Sequence, residues 1–306
     1  MRMLITGGAG FIGSHLCEKC VKDGHTVLCL DNFVSGDLMN IRRLLDFRNF
    51  KLMEGDIRDF DLLEKIMPDV DVVFHLAAIS SVLKSIENPL ATNETNVIGT
   101  LNVLLAARDS GVKKIIYASS TAVYGDTRTL PQKEEMMPNP QSPYAVTKLI
   151  GEHYCQVFQR AYGLPAISLR YFNVYGPKQD PNSDYAAVIP RFIKRVSEGK
   201  PPIIFGDGEQ TRDFVFVSDV VRANILAAES DATGVFNIGQ GRRVTINELA
   251  KLIIHIMNKD LGVIYKEARA GDIRHSLADI SKARLSGYEP QYDLERGLKE
   301  TISDLL

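Results

Sequence analysis

Met3-Leu4-Ile5-Thr6-Gly7-Gly8-Ala9-Gly10-Phe11-Ile12-Gly13 reads as a short buried strand, a glycine turn and the first turn of a helix. Glycine at Gly7, Gly10 and Gly13 lets the backbone turn tightly, approach a pyrophosphate and pack the helix on the strand, while N–H groups at the helix start face the anion. A glycine triplet alone is a weak signal; it needs a strand before it, a helix after it and an acid at the end of the next strand. All three are present. A helix over 14–23 and a turn at Gly24 lead into His25-Thr26-Val27-Leu28-Cys29-Leu30, a strand pattern that ends in Asp31, eighteen residues after Gly13. The Asp31 carboxylate is placed to accept the adenosine ribose hydroxyls and would repel an added phosphate, so the cradle predicts NAD as the cofactor.

Working outward, strand and helix patterns alternate through roughly the first 170 residues, the signature of an α/β chain with a doubly wound parallel sheet, the Rossmann arrangement. Ligands collect at the carboxyl ends of such strands. That places the polar connection Asn32-Phe33-Val34-Ser35-Gly36 beside the cofactor, and Asp56 and Ile57, after a strand over 50–53, near the adenine. An apolar strand over 70–74 delivers His75-Leu76-Ala77-Ala78, where small residues let backbone lie against a flat ligand, and then Ser80 and Ser81 at the substrate edge. His75 reads as structural and Asn96, in the next helix, as a brace for neighbouring backbone.

At 306 residues, 45% hydrophobic and 24% charged, the composition is that of an ordinary globular enzyme and not of a disordered chain. The net charge is −2 and the basic pairs are scattered, so no nucleic-acid footprint is expected. A first strand at the third residue leaves no room for a signal peptide, and no apolar run approaches membrane-spanning length, which together predict a cytoplasmic protein without a membrane partner. Cys17 and Cys20 form a C-x-x-C inside the first helix, without a second pair for zinc, and are expected to pack; no metal is predicted.

Lys113-Lys114-Ile115-Ile116-Tyr117-Ala118-Ser119-Ser120-Thr121 is a fifth strand with hydroxyls at its carboxyl end. Ser142-Pro143 makes a helix start, serine as cap and proline at the first position. Tyr144-Ala145-Val146-Thr147-Lys148 then sets a phenol and an ammonium four apart on one helical face. A phenol titrates near 10 in water, and Lys148, an oxidised nicotinamide and the helix N-terminus are all expected to favour phenolate, bringing it toward neutral pH.

With these motifs the chain resembles the extended short-chain dehydrogenase/reductases, and among them the nucleotide-sugar 4-epimerases. The resemblance also rests on Gly55-Asp56-Ile57, Ala122-Val123-Tyr124-Gly125 and Leu169-Arg170-Tyr171-Phe172-Asn173-Val174-Tyr175-Gly176-Pro177. It implies Ser120 as the catalytic hydroxyl, Tyr144 as the acid/base and Lys148 as the partner that binds the nicotinamide ribose, with Tyr171 beside the cofactor. It further implies a UDP-sugar substrate, contacted by Ser80, Ser81, Ser120, Thr121, Asn173, Ala187, Val188, Ile203, Phe205, Arg212, Arg269, Asp272 and Ser276. Arg212, Arg269 and Asp272 would meet the diphosphate and ribose, and Phe205 the uracil. Helices around 93–110 and 144–162 would pair with their copies in a homodimer.

Residues 1–173, with a returning segment near 213–240, are expected to form the NAD-binding domain, and 174–212 with 241–306 a smaller α/β substrate domain. Related dehydratases carry an Asp-Glu pair just after the catalytic hydroxyl, and decarboxylases an acid two before the tyrosine of V-Y-G. Here those positions are Thr121 and Ala122, which cannot exchange a proton at neutral pH. Epimerisation remains. Ser276 stands where a tyrosine would crowd out an N-acetyl group, so UDP-N-acetylglucosamine and UDP-N-acetylgalactosamine are the expected pair, with UDP-glucose and UDP-galactose also admitted. An ordinary loop serine is the other reading of Ser276. UDP-glucuronate epimerisation or decarboxylation, and a non-catalytic NAD-binding regulator, remain open.

Overall fold

The computed structural model describes residues 1–181, 187–268 and 273–306. Its strands are β1 (Arg2–Thr6), β2 (Thr26–Asp31), β3 (Phe50–Glu54), β4 (Val72–His75), β5 (Lys114–Ser120), β6 (Ala166–Tyr171), β7 (Asn173–Tyr175), β8 (Ile203–Phe205), β9 (Thr211–Arg212), β10 (Phe214–Phe216), β11 (Gly234–Ile238), β12 (Val244–Thr245) and β13 (Ile264–Lys266). The helices are α1 (Phe11–Lys22), α2 (Phe60–Ile66), α3 (Val82–Glu87), α4 (Pro89–Asn93), α5 (Gly99–Asp109), α6 (Pro143–Tyr162), α7 (Val188–Ser197), α8 (Val217–Glu229), α9 (Ile246–Ile256), α10 (Ser281–Leu285) and α11 (Leu294–Leu305).

Seven strands make one parallel sheet in the order β11-β6-β5-β4-β1-β2-β3. Helices cover both faces, which is why β4 is buried at every position and reads as a continuous apolar run. One apolar cluster packs α1 and α8 on one face, with Cys17 and Cys20 inside it, and another packs α2, α5 and α6 on the other. Each fully buried Leu, Ile or Val in them contributes about 1.5–3 kcal/mol. The order reverses at β1, between β4 and β2, and there a crevice opens at the carboxyl ends of the strands.

The fourth strand ends at His75, not at 74. His75 is buried between Thr6 Oγ1 at 2.8 Å and Thr100 Oγ1 at 2.9 Å, and burial pushes its pKa down to about 3, so it is a neutral strut. The helix expected from position 93 is interrupted: Glu94–Ile98 forms a π turn between α4 and α5. Asn96 explains it. Its carboxamide takes the N–H of Ile79 at 2.8 Å and donates to the Ile79 carbonyl at 3.0 Å, tying the loop after β4 to the helix.

The later part of the chain builds a third apolar cluster from α7, α9, β10 and Leu298 of α11. Three two-stranded pairs surround it: β7 with β10, β8 with β13, and β9 with β12. Between these pieces α8 packs back against α1 and β5, and β11 adds the edge strand beside β6. Among the described residues no helix is long and apolar enough to cross a membrane.

Candidate active site

The turn between β1 and α1 begins at Gly7, whose φ of +71° only glycine adopts without strain. A Cβ on Gly13 would stand 2.1 Å from the Gly7 carbonyl oxygen, so helix and strand touch through backbone alone. Helical bonding starts at Ser14 N to Gly10 O, which leaves the N–H groups of Phe11 and Ile12 ahead of the ladder at the helix mouth. Leu76 and Ala77 approach from β4; a Cβ on Gly7 would lie 2.7 Å from Ala77 N. Ala78 follows them.

Asp31 closes the cradle from β2. One carboxylate oxygen accepts the Ala9 N–H and the other the Phe33 N–H, each at 2.9 Å, so the acid is fixed in direction. Gly36 and Ser35 belong to the loop that follows, and a Cβ on Gly36 would sit 2.7 Å from Asp31 Oδ1. Asn32 donates to Asp56 at 2.8 Å. Arg58 holds the same Asp56 carboxylate, lowering its pKa to about 2, and Ile57 is buried beside Gly99. A narrow backbone-lined turn, helix N–H groups and an oriented acid suit a dinucleotide whose ribose carries free hydroxyls.

At the end of β5, Ser120 caps a 3₁₀ turn over Thr121–Tyr124, accepting the Ala122 N–H at 3.1 Å. Ser142 and Pro143 start α6 as expected, with the Ala145 N–H bonded to the serine at 3.2 Å. The helix lays Tyr144 beside Ser120. Lys148, one turn on, is buried and donates to the Ala118 carbonyl at 2.7 Å. Its ammonium lies 5.9 Å from the centre of the Tyr144 ring.

The phenol is not depressed in this state. Burial pushes Tyr144 above its usual value, with Ser120 acting in the opposite direction, and burial pulls Lys148 down to about 8. Desolvation thus opposes the phenolate that Lys148, an oxidised nicotinamide and the helix N-terminus are together expected to favour.

The substrate residues divide. Asn173, Ala187, Val188, Ile203, Phe205 and Arg212 line one cavity of about 250 Å³, together with Arg191, Phe192 and Gln210, which no local pattern in the sequence singles out. The buried Oδ1 of Asn173 and Oε1 of Gln210 have no hydrogen-bond partner, leaving acceptors for a ligand's donors. Arg191 carries its guanidinium 5.9 Å from the centre of the Phe205 ring. Asn173 stands two residues beyond Tyr171, the register partner of Ser120, so this cavity begins at the carboxyl ends of β5 and β6.

Ser80 is exposed at the rim, and Ser81 spends its hydroxyl as the cap of α3, accepting the Lys84 N–H. Tyr171 is turned into the core, where its phenol donates to Asn224 at 2.9 Å. Ser276 is not a solvated loop residue. It is buried, its N–H bonded to the Thr211 carbonyl and its hydroxyl 3.3 Å from Gln132 Oε1. Arg269 and Asp272 lie outside the described residues. Among the described residues no group of three or more His, Cys, Asp or Glu is arranged to hold a metal.

The model of the NAD dependent epimerase/dehydratase family matches residues 3–239. The chain belongs to that family. NAD is the cofactor that the cradle serves, and the chain is an enzyme. A UDP-N-acetylglucosamine 4-epimerase from Methanobrevibacter ruminantium, solved with UDP-N-acetylmuramic acid, is 44% identical, with a TM-score of 0.96 over 99% of this chain and 97% of that one. A UDP-glucose 4-epimerase from Thermotoga maritima, solved with UDP-glucose, is 43% identical, with a TM-score of 0.95 over 99% and 98%. A UDP-glucuronic acid 4-epimerase from Bacillus cereus, solved with UDP-glucuronic acid and NAD, is 36% identical, with a TM-score of 0.93 over 100% and 99%.

Proposed function

We propose that this family member is a UDP-sugar 4-epimerase that interconverts UDP-N-acetylglucosamine and UDP-N-acetylgalactosamine and also admits UDP-glucose and UDP-galactose. The observation that carries the reaction type is the meeting of Ser120, Tyr144 and Lys148 at the end of β5 while Thr121 and Ala122 follow with no acid. Tyr144 takes the proton of the sugar 4-hydroxyl and returns it to the 4-keto oxygen; Ser120 hydrogen-bonds the same oxygen. Lys148 holds the nicotinamide ribose and supports the phenolate electrostatically. Bound NAD would supply a reversible hydride acceptor for carbon 4, so that none would be consumed. Elimination of water or carbon dioxide would need a second proton-transfer group, and neither Thr121 nor Ala122 supplies one.

The cavity between β7, α7 and β8 suits the nucleotide end of the substrate, with Phe205 against the uracil and Arg212 toward the diphosphate. Held there, the sugar can present either face to Tyr144. Small Ser276 supports the acetylated pair. The resemblance to the Bacillus cereus enzyme keeps UDP-glucuronate as the second reading.

The deciding experiment incubates purified chain with UDP-N-acetylglucosamine, UDP-glucose and UDP-glucuronate, with and without added NAD, and separates the products. Expected are UDP-N-acetylgalactosamine and UDP-galactose, and loss of about a hundredfold or more in rate for Tyr144→Phe. Turnover of UDP-glucuronate alone would replace the substrate reading, carbon dioxide release would replace the reaction, and no turnover of any UDP-sugar would point to an NAD-binding regulator.

We also infer a homodimer formed through α5 and α6, because Val146, Val157 and Tyr162 expose apolar surface on α6 and Ile98 does so just before α5. Light scattering should give twice the 34.0 kDa chain mass. A cytoplasmic setting fits four buried, unpaired cysteines.

A further inference from the structure

Glu152 follows Lys148 by one turn of α6 and is 1% exposed, yet it takes no part in the chemistry above. Its carboxylate receives Arg170 in a fork, Nε to Oε1 at 2.8 Å and Nη2 to Oε2 at 2.7 Å, and Oε1 also accepts the hydroxyl of Ser119. Ser119 and Arg170 are register partners on β5 and β6, Ser119 directly before Ser120 of the site. The helix therefore grips β5 at two consecutive residues: Lys148 holds Ala118 by its carbonyl, and Glu152 holds Ser119 by its side chain.

We propose that Glu152 is a positioning residue of the epimerisation, which sets the register of α6 on β5 so that Tyr144 meets Ser120, and which balances the buried Arg170 charge. The proposal rests on the catalytic roles assigned to Ser120, Tyr144 and Lys148. A buried ion pair with one partner removed leaves an uncompensated charge, whereas removing both is far better tolerated. Here the orphaned charge would be Arg170, and Lys148, already short of solvent, would lose the carboxylate that favours its charged form. Lys148 faces Tyr144, Glu152 and Cys155 of its own helix, Tyr117 of β5 at 5.0 Å and His75 of β4. Glu152 faces Ser119 and Tyr117 of β5, Arg170 of β6, and Lys148 and Cys155. Among these neighbours Glu152 is the carboxylate, so its charge is what opposes deprotonation of Lys148 when Arg170 is present.

The test compares wild type, Glu152→Gln and the double variant Glu152→Gln with Arg170→Met. For Glu152→Gln, kcat should fall about tenfold or more with KM within about twofold, and the alkaline limb of kcat against pH should move down by about one pH unit. Adding Arg170→Met should return the limb toward its wild-type position. Ser119→Ala keeps the ion pair and removes one tether; it should lower kcat by about threefold or more at an unchanged melting temperature, and it serves where Glu152→Gln fails to fold. The pH dependence of NAD affinity, measured by calorimetry, should shift the same way in Glu152→Gln, and it reports on Lys148 even if no UDP-sugar is turned over. Wild-type kcat and pH limbs in Glu152→Gln with only a lower melting temperature, an unmoved limb in the double variant, or unchanged kcat in Ser119→Ala would overturn the proposal.

Discussion

The carboxamide of Asn96 donates to the hydroxyl of Thr147 at 3.0 Å, joining the π turn ahead of α5 to the N-terminal part of the helix that carries Tyr144 and Lys148. Thr147 passes the bond on to the Tyr144 carbonyl at 2.8 Å. One buried side chain thus holds the loop after β4 and the catalytic helix together. Asn96→Ala should cost about 1–3 kcal/mol in urea unfolding, because the Ile79 N–H and carbonyl lose their partners inside the protein. It should also slow turnover, while Thr147→Val, which leaves the Ile79 bonds intact, should cost less stability.

Lys148 predicts a pH dependence with a definite sign. Its pKa is lowered by burial from 10.5 to about 8, so between about pH 8 and 10.5 the unfolded chain binds the extra proton and ligand-free stability gained from this group rises with pH. The full difference is about 3 kcal/mol. Lys148→Met removes the dependence. Its stability relative to wild type should therefore be most favourable near pH 7 and should worsen steadily toward pH 10, offset throughout by the lost bond to Ala118. Chemical denaturation at four pH values measures the slope; a slope of zero would mean that Lys148 keeps its ordinary pKa in the folded chain.

Ser276→Tyr should reduce turnover of UDP-N-acetylglucosamine by about tenfold or more while leaving UDP-glucose within about threefold. A tyrosine there must displace the Gln132 carboxamide that now receives the serine hydroxyl. Equal loss on both sugars would show that the substitution merely disrupts this buried corner.

Asp213 is 0% exposed between β9 and β10, and its carboxylate accepts N–H bonds from Gln240 at 2.7 Å, Gly241 at 2.9 Å and Ala278 at 3.1 Å. It pins the cavity strands to the segment that carries Ser276. Asp213→Ala removes the acceptor of three N–H groups, that of Ala278 among them buried, and should destabilise the chain by about 1–3 kcal/mol, read as a lower denaturant midpoint. Because burial lifts this acid to about 6, its anion is a cost to folding above that pH and its titration opposes stability as pH rises from about 4 to 6.

The cradle, the acid at Asp31 and the Tyr144-Lys148 pair are legible in the sequence because each is set by short-range spacing: a turn that tolerates only glycine, a strand of six residues, one turn of helix. The helix start at Ser142-Pro143 is legible for the same reason. Glu152 is not, although it continues the same helical face, because nothing local says that Ser119 and Arg170 sit opposite it. Arg191 looks like one more charge on an amphipathic helix until α7 turns it into the cavity with Phe205. Gln132 lies in an irregular proline-containing stretch with no periodicity to mark it, and is brought to Ser276 across the fold.

By itself the sequence determined the α/β alternation, the dinucleotide turn and the placing of Tyr144 and Lys148 one helical turn apart, since spacing along the chain is enough for those. Tertiary structure alone decided that the Tyr144 phenol is held above its usual pKa, that Tyr171 faces the core and that a buried carboxylate grips the strand beside Ser120. Those properties depend on desolvation and on contacts between residues distant in the chain, and neither exists until the sheet and its helices have closed around them.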